Sequence, residues 1–225
     1  MIVAIDGPAG SGKSTVARGV ARALGFTYLD SGALYRAVTL KALEAGADLE
    51  AGESLGRLAR RAEVEVRERD HDYVQVLLDG RDVSEAIRAP EVTGASSAVA
   101  AHERVREALL ATQRDLVAAG DWVVEGRDIG TVVAPEASVK AFLTADPAER
   151  ARRRAAELGS RGVRADAGEV RRAIEQRDRL DSTRSAAPLR AAADAVTIDT
   201  TGLHPQEVID RVLQLVERAR ASAAS

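Results

Sequence analysis

Nine consecutive residues, Gly7-Pro8-Ala9-Gly10-Ser11-Gly12-Lys13-Ser14-Thr15, carry the clearest chemistry in this chain, because they match the G-x-x-x-x-G-K-[ST] pattern of a phosphate-binding P-loop. Glycines at these positions let backbone N–H groups turn inward and approach phosphate oxygens without a Cβ in the way. Lys13 supplies a point charge for the β- and γ-phosphates of a nucleotide, and the Ser14 hydroxyl is the expected ligand for its magnesium ion. The alternative is a glycine turn that merely joins two elements.

The flanking elements favour the chemical reading. Ile2-Val3-Ala4-Ile5-Asp6 is a short apolar run of the kind that forms a buried strand. Val16, Val20 and Leu24 recur at helical spacing behind the loop, with Gly25 as a stop. Further along, apolar runs at 26–30, 122–124, 139–143 and 195–198 predict four more core strands, each separated by helical sequence. Strands alternating with helices imply a parallel sheet with right-handed crossovers.

Two stretches depart from that rhythm. Val64, Val66, Val74, Val76 and Leu78 alternate with polar residues, predicting a solvent-faced hairpin whose turn contains an exposed His71. Leu158 to Gly162 should break the helix that opens at Asp146-Pro147-x-Glu149, which has an N-cap, a proline at N1 and a glutamate at N3. His204-Pro205 opens a last helix, and Ala221 to Ser225 should fray.

Bulk properties set bounds. The chain has 225 residues, 45% hydrophobic and 30% charged, with net charge −3, which gives no overall pull toward nucleic acid or anionic membrane. It has no cysteine, which excludes disulfides and thiolate metal sites, and His71, His102 and His204 lie too far apart in sequence for metal-ligand spacing. No stretch reaches the length of a membrane span, and the N-terminus enters a strand at once without a signal peptide, so a cytoplasmic protein is expected. Lys13, Lys41 and Lys140 are the only lysines among many arginines, so a single arginine means little and spacing must carry the argument.

Three further segments stand in order behind the P-loop: Asp30-Ser31-Gly32-Ala33-Leu34-Tyr35-Arg36, Glu125-Gly126-Arg127-Asp128-Ile129-Gly130-Thr131, and Arg177-x-x-x-Asp181-x-x-Arg184. With them the chain resembles the bacterial cytidylate kinases over nearly its whole length. The resemblance implies the P-loop nucleoside monophosphate kinase fold, an α/β unit with a five-stranded parallel sheet flanked by helices. Residues 1–61 and 91–225 would form its core, 62–90 an inserted monophosphate-binding lobe and 157–165 a lid. It implies transfer of the γ-phosphoryl group of ATP, held by Gly7 to Thr15, to CMP or dCMP with Mg2+, in a monomer without nucleic-acid or membrane partners. Carried over by position, Ser31 and Arg36 meet the sugar–phosphate end of CMP, and Ser97, Arg106 and Asp128 face cytosine. Arg127, Arg177, Asp181 and Arg184 address phosphate and ribose. Lys13, Arg127, Arg177 and Arg184 would be the catalytic cations. Family members often carry aspartate where this chain has Glu125, and are more polar at Leu180.

Elementary chemistry supports part of this. Asp128 follows a core strand at its C-terminal end, where open α/β sheets bind ligands. A carboxylate accepts from the cytosine N4 amine and repels the uracil carbonyl. Arg177, Asp181 and Arg184 are spaced i, i+4, i+7 and would share one helix face. Taken alone, the Arg177–Asp181 spacing also fits a surface ion pair, Asp30 or Ser31 a helix N-cap, and Glu125 to Asp128 a plain turn. Arg152 to Arg154 fit a solvated helix face; which of Arg150, Arg152, Arg153, Arg154, Arg161 and Arg164 reaches ATP is open. The nearest rivals are a P-loop kinase of another small metabolite and a slowly hydrolysing nucleotide switch.

Overall fold

A computed structural model of the protein describes residues 1–70, 73–160, 162 and 166–223. His71, Arg161 and Arg164 therefore lie outside the described residues, as do residues 161 and 163–165 of the segment read as a lid.

In chain order the elements are β1 (Ile2–Asp6), α1 (Lys13–Leu24), β2 (Thr27–Asp30), α2 (Ser31–Glu44), α3 (Gly52–Arg60), β3 (Val64–Asp70), β4 (Tyr73–Leu78) and β5 (Arg81–Asp82). There follow α4 (Pro90–Ala101), α5 (Glu103–Val117), β6 (Trp122–Gly126), β7 (Val139–Thr144), α6 (Pro147–Ser160), α7 (Ala167–Thr183), β8 (Val196–Asp199) and α8 (Pro205–Ala223). A single π-helical turn, Ile129–Val133, follows β6.

Five strands form one parallel sheet in the order β2-β6-β1-β7-β8. The strand that feeds the P-loop is thus central and buried on both faces, which is why it reads as a continuous apolar run. Val3 and Ile5 face α1 and α8, packing with Val16, Val20, Val208 and Val212. Ala4 faces the other way, toward Leu29, Val117, Val124, Ile129 and Val133.

The period-two stretch forms a separate antiparallel sheet, β3-β4-β5, whose third short strand has no sequence signal. Val76, Leu78 and Val83 bury against Ala33, Ala37 and Leu40 of α2. Lys41 of α2 donates to the Arg61 carbonyl at 3.1 Å and to Asp79 at 3.0 Å, fastening the sheet to that helix.

Two helix boundaries differ from expectation. Helix α6 runs through Leu158 and Gly159 to Ser160, because Ala151, Ala155 and Leu158 pack on Val170 and Ile174 of α7. Helix α8 continues to Ala223 instead of fraying at Ala221. Both helix starts fall where expected: Asp146 accepts the Ala148 N–H at 2.8 Å, and the His204 N–H donates to Glu207 at 2.7 Å. Glu149 does not close a capping box, since it accepts from Arg152 and Arg153 while the Asp146 N–H donates to Thr201 at 2.9 Å. Among the described residues no helix is long and apolar enough to cross a membrane.

Candidate active site

The P-loop lies between β1 and α1 in the conformation its glycines permit. Gly10 has φ 74°, and a Cβ there would stand 2.8 Å from the Arg150 carbonyl oxygen, so another residue would be both strained and obstructed. Lys13 is buried, and its Nζ donates to the Pro8 carbonyl at 2.7 Å. Burial, with Arg127 close by, holds its pKa well below the usual lysine range. The Ser14 hydroxyl donates to the Glu125 carboxylate at 2.9 Å, and the Tyr28 hydroxyl donates to the other Glu125 oxygen. Burial and the nearby Asp30 push the Glu125 pKa up. Ser11 Oγ is buried without a partner.

Across β6, the strand next to β1, the segment after Gly126 turns back over the loop. Arg127 donates from Nη1 to the Gly7 carbonyl at 2.9 Å and from Nε to Asp181 of α7 at 2.9 Å. Asp181 therefore pairs across elements with Arg127, and this contact replaces the within-helix pairing with Arg177 that i, i+4 spacing allowed. Burial alone would raise the Asp181 pKa; Arg127 brings it below the ordinary carboxylate range. Asp128 is 4% exposed and takes a hydrogen bond from Arg106, whose guanidinium stacks 5.2 Å from the Tyr35 ring centroid. Ser97 is buried on α4.

Arg184 corrects a second expectation. Helix α7 ends at Thr183, so Arg184 has extended backbone (φ −62°, ψ 143°) and does not share the helical face of Arg177. Its guanidinium still reaches the site, 3.7 Å from both Asp128 and Asp181. Asp30 stands at the N-cap of α2 but makes no capping bond; its carboxylate instead accepts from Arg36 at 2.8 Å. Arg36 outweighs burial and lowers the Asp30 pKa. The Ser31 hydroxyl lies against Gly126, where a Cβ would stand 2.6 Å from Oγ. Glu125 to Asp128 are thus no plain surface turn: three of these residues hold contacts to the P-loop, α1, α5 or α7.

Nearby guanidinium nitrogens are left without hydrogen bonds. Arg36 Nε, Arg177 Nε and Arg184 Nη2 are buried with no hydrogen bond. Burial and Arg127 lower the Arg177 pKa to about 10. Such a group of desolvated cations is costly by itself and suits an anionic ligand.

The arginines of α6 separate cleanly. Arg150 is buried and donates to the Ala145 and Ala9 carbonyls, both at 3.1 Å, and to Asp178 of α7. Arg153 turns inward, to the Thr200 carbonyl at 2.7 Å and the Thr200 hydroxyl at 2.8 Å, so the run is not uniformly solvated. Arg152 is the exposed member and pairs with Glu149. Sequence reasoning missed Tyr28 and the inward role of Arg150; an acid-facing tyrosine inside an apolar strand has no signal of its own.

The family model described as cytidylate kinase matches residues 3–218. A cytidylate kinase of Pelotomaculum thermopropionicum is 49% identical over 218 residues, covering 97% of this chain and 96% of that protein. One of Shouchella clausii is 48% identical over 215 residues, covering 96% and 95%. A solved structure of an uncharacterized protein from Eubacterium ventriosum aligns with TM-score 0.54 at 10% identity, covering 96% of this chain and 98% of that one, which speaks to the fold alone. With the P-loop, Arg127, the buried Asp128, Asp181 and Arg184 linked by these contacts, a match over nearly the full length on both sides leaves one conclusion: this chain belongs to the cytidylate kinase family.

Proposed function

We propose that this protein transfers the γ-phosphoryl group of ATP to CMP and dCMP, giving CDP or dCDP and ADP. The observation that carries the reading is the joining of two half-sites. Arg127, next to Asp128, bonds the first P-loop carbonyl, so a triphosphate grip and a buried acid for a base amine lie in fixed relation.

Gly7 to Thr15 would hold the ATP phosphates, with Lys13 leaving the Pro8 carbonyl for them. Ser31, Arg36, Arg127, Arg177 and Arg184 would receive the acceptor phosphate and the charge that develops during transfer. Asp181 keeps Arg127 in place and is available to ribose hydroxyls. Asp128, with Arg106 and Ser97, would take the cytosine edge. The acceptor oxygen belongs to a phosphate dianion and needs no strong general base, so catalysis is positioning and charge neutralisation.

Mg2+ fits the donors present. The Ser14 hydroxyl and Glu125 carboxylate are adjacent hard oxygens, and a magnesium ion takes one or two such protein ligands and completes its shell with phosphates and water. Bound there it would neutralise charge on the β- and γ-phosphates.

The lobe at 62–90 and the segment 157–165 would close over the nucleotides and exclude water, which otherwise competes as acceptor. The small separate core of Ala151, Val170 and Ile174 supports independent movement of α6 and α7. A cytoplasmic monomer, as the family resemblance implies, fits an enzyme whose two substrates are free nucleotides.

A coupled assay of ADP release with CMP, dCMP, UMP and AMP tests the acceptor. CMP and dCMP should be used far better than the others; a clear preference for AMP overturns the assignment.

A further inference from the structure

Behind the acceptor-reading segment lies a carboxylate that the phosphoryl-transfer scheme does not use. Asp6 ends the apolar strand β1, immediately before the P-loop, and is 5% exposed. A buried carboxylate is costly unless its oxygens are matched. Here both are. Oδ1 accepts the N–H of Ile129 at 2.9 Å and Oδ2 accepts the N–H of Gly130 at 2.8 Å.

Those two amides open the π-helical turn, whose first carbonyl is that of Asp128; it accepts from Val132 at 2.9 Å and Val133 at 3.2 Å. The leading N–H groups of any helical turn lack partners within it and are ordinarily capped by the preceding residue. Asp128 makes no such bond, since its carboxylate is turned to Arg106. Asp6 caps the turn from another strand, which frees Asp128 to face the cleft. On the other flank, the Gly7 carbonyl holds Arg127. Asp6 and Gly7 thus grip the residues on either side of Asp128, from the strand that carries the phosphate loop.

We infer that Asp6 is a positioning residue for acceptor choice: by capping the Ile129 and Gly130 amides it sets where Asp128 meets the pyrimidine amine, relative to the bound triphosphate. This rests on the reading of Asp128 given above. A side chain without two acceptors at position 6 leaves a buried N–H unmatched and lets the turn shift. A displacement on the order of 1 Å in such a contact can cost about a hundredfold in rate.

The charged groups around Asp6 are Lys13 of α1, Asp128 itself and Lys140 of β7, whose stem runs past Gly130. Burial raises the Asp6 pKa to about 6, against the two N–H bonds that lower it. The proton taken up below that pH removes an acceptor, as an asparagine would.

The test compares kcat/KM for CMP and UMP in the wild type, in Asp6→Asn, in Asp128→Ala and in the double variant, with Kd for ADP measured without acceptor. Asp6→Asn should lower the CMP-to-UMP ratio at least tenfold, leave the ADP Kd within twofold, and cause no further loss of ratio in the Asp128→Ala background. An unchanged ratio, an ADP Kd that weakens as much as CMP use, or an equal loss in both backgrounds overturns the proposal. If Asp6→Asn does not fold, the wild-type ratio decides. Acceptor phosphate titration cancels in it, so with the Asp6 pKa at about 6 it should drop about threefold from pH 7.5 to pH 5.5; a flat ratio overturns the proposal. A wild type without any preference for CMP over UMP instead defeats the reading of Asp128 itself.

Discussion

Arg177 shows how binding and stability compete at a single residue. Its Nε is buried without a hydrogen bond, and burial together with the charge of Arg127 lowers its pKa to about 10. Without an anion this guanidinium opposes folding; with a phosphate beside it the same group becomes a strong charge-assisted donor. Arg177→Met should therefore leave the free protein as stable or more stable, by about 1 kcal/mol, which is a rise of roughly 2–4 °C in Tm. It should also lower kcat about a hundredfold or more. Thermal unfolding with and without CMP checks both halves, since the variant should lose much of the stabilisation that CMP gives the wild type. A large fall in Tm without ligand would mean that Arg177 is a structural residue. Residues of this kind were legible only through spacing. Lys13 and Ser14 sit in a contiguous motif and can be read directly, whereas Tyr28 reaches Glu125 across 97 positions of sequence, and no local pattern reports such a meeting.

At the level of elements, one side chain fastens three pieces of the molecule. Arg150 on α6 holds the Ala9 carbonyl of the P-loop, the Ala145 carbonyl after β7, and Asp178 on α7. Arg150→Ala strands a largely buried carboxylate and frees two carbonyls, and should destabilise the protein by about 3 kcal/mol. In a chain of this size that lowers Tm by roughly 6–12 °C. In urea unfolding, Arg150→Ala with Asp178→Asn should cost less than the sum of the two single changes, because the pair is one interaction. Strict additivity would show that the contact carries no energy. Helix starts were readable because caps are local: Asp146 before Pro147, and Glu207 three residues after His204. The end of α6 was not. Gly159 lowers helix propensity by about 1 kcal/mol, and packing of Leu158 near Val170 and Ile174 overrides it.

The whole molecule separates its two tasks by strand order. With β1 central, β2 and β6 lie on one side and carry Ser31, Arg36, Arg127 and Asp128 at their C-terminal ends. Strands β7 and β8 lie on the other and lead to Arg150, Arg153 and Thr200, which brace the P-loop region. Alternating strands and helices made a parallel sheet legible from the sequence, but the order β2-β6-β1-β7-β8 depends on pairings between strands far apart in the chain. That order puts Ser31, Arg36, Arg127 and Asp128 on one side of the P-loop, with Asp181 of α7 bonded to Arg127. A site so built should do little with ATP until the second nucleotide is present. The most direct measurement is ADP release from ATP with and without CMP, with the product identified by phosphorus NMR. CMP should accelerate release by orders of magnitude, with one CDP formed per ADP. Release that is indifferent to CMP, or that yields inorganic phosphate in place of CDP, would contradict the account.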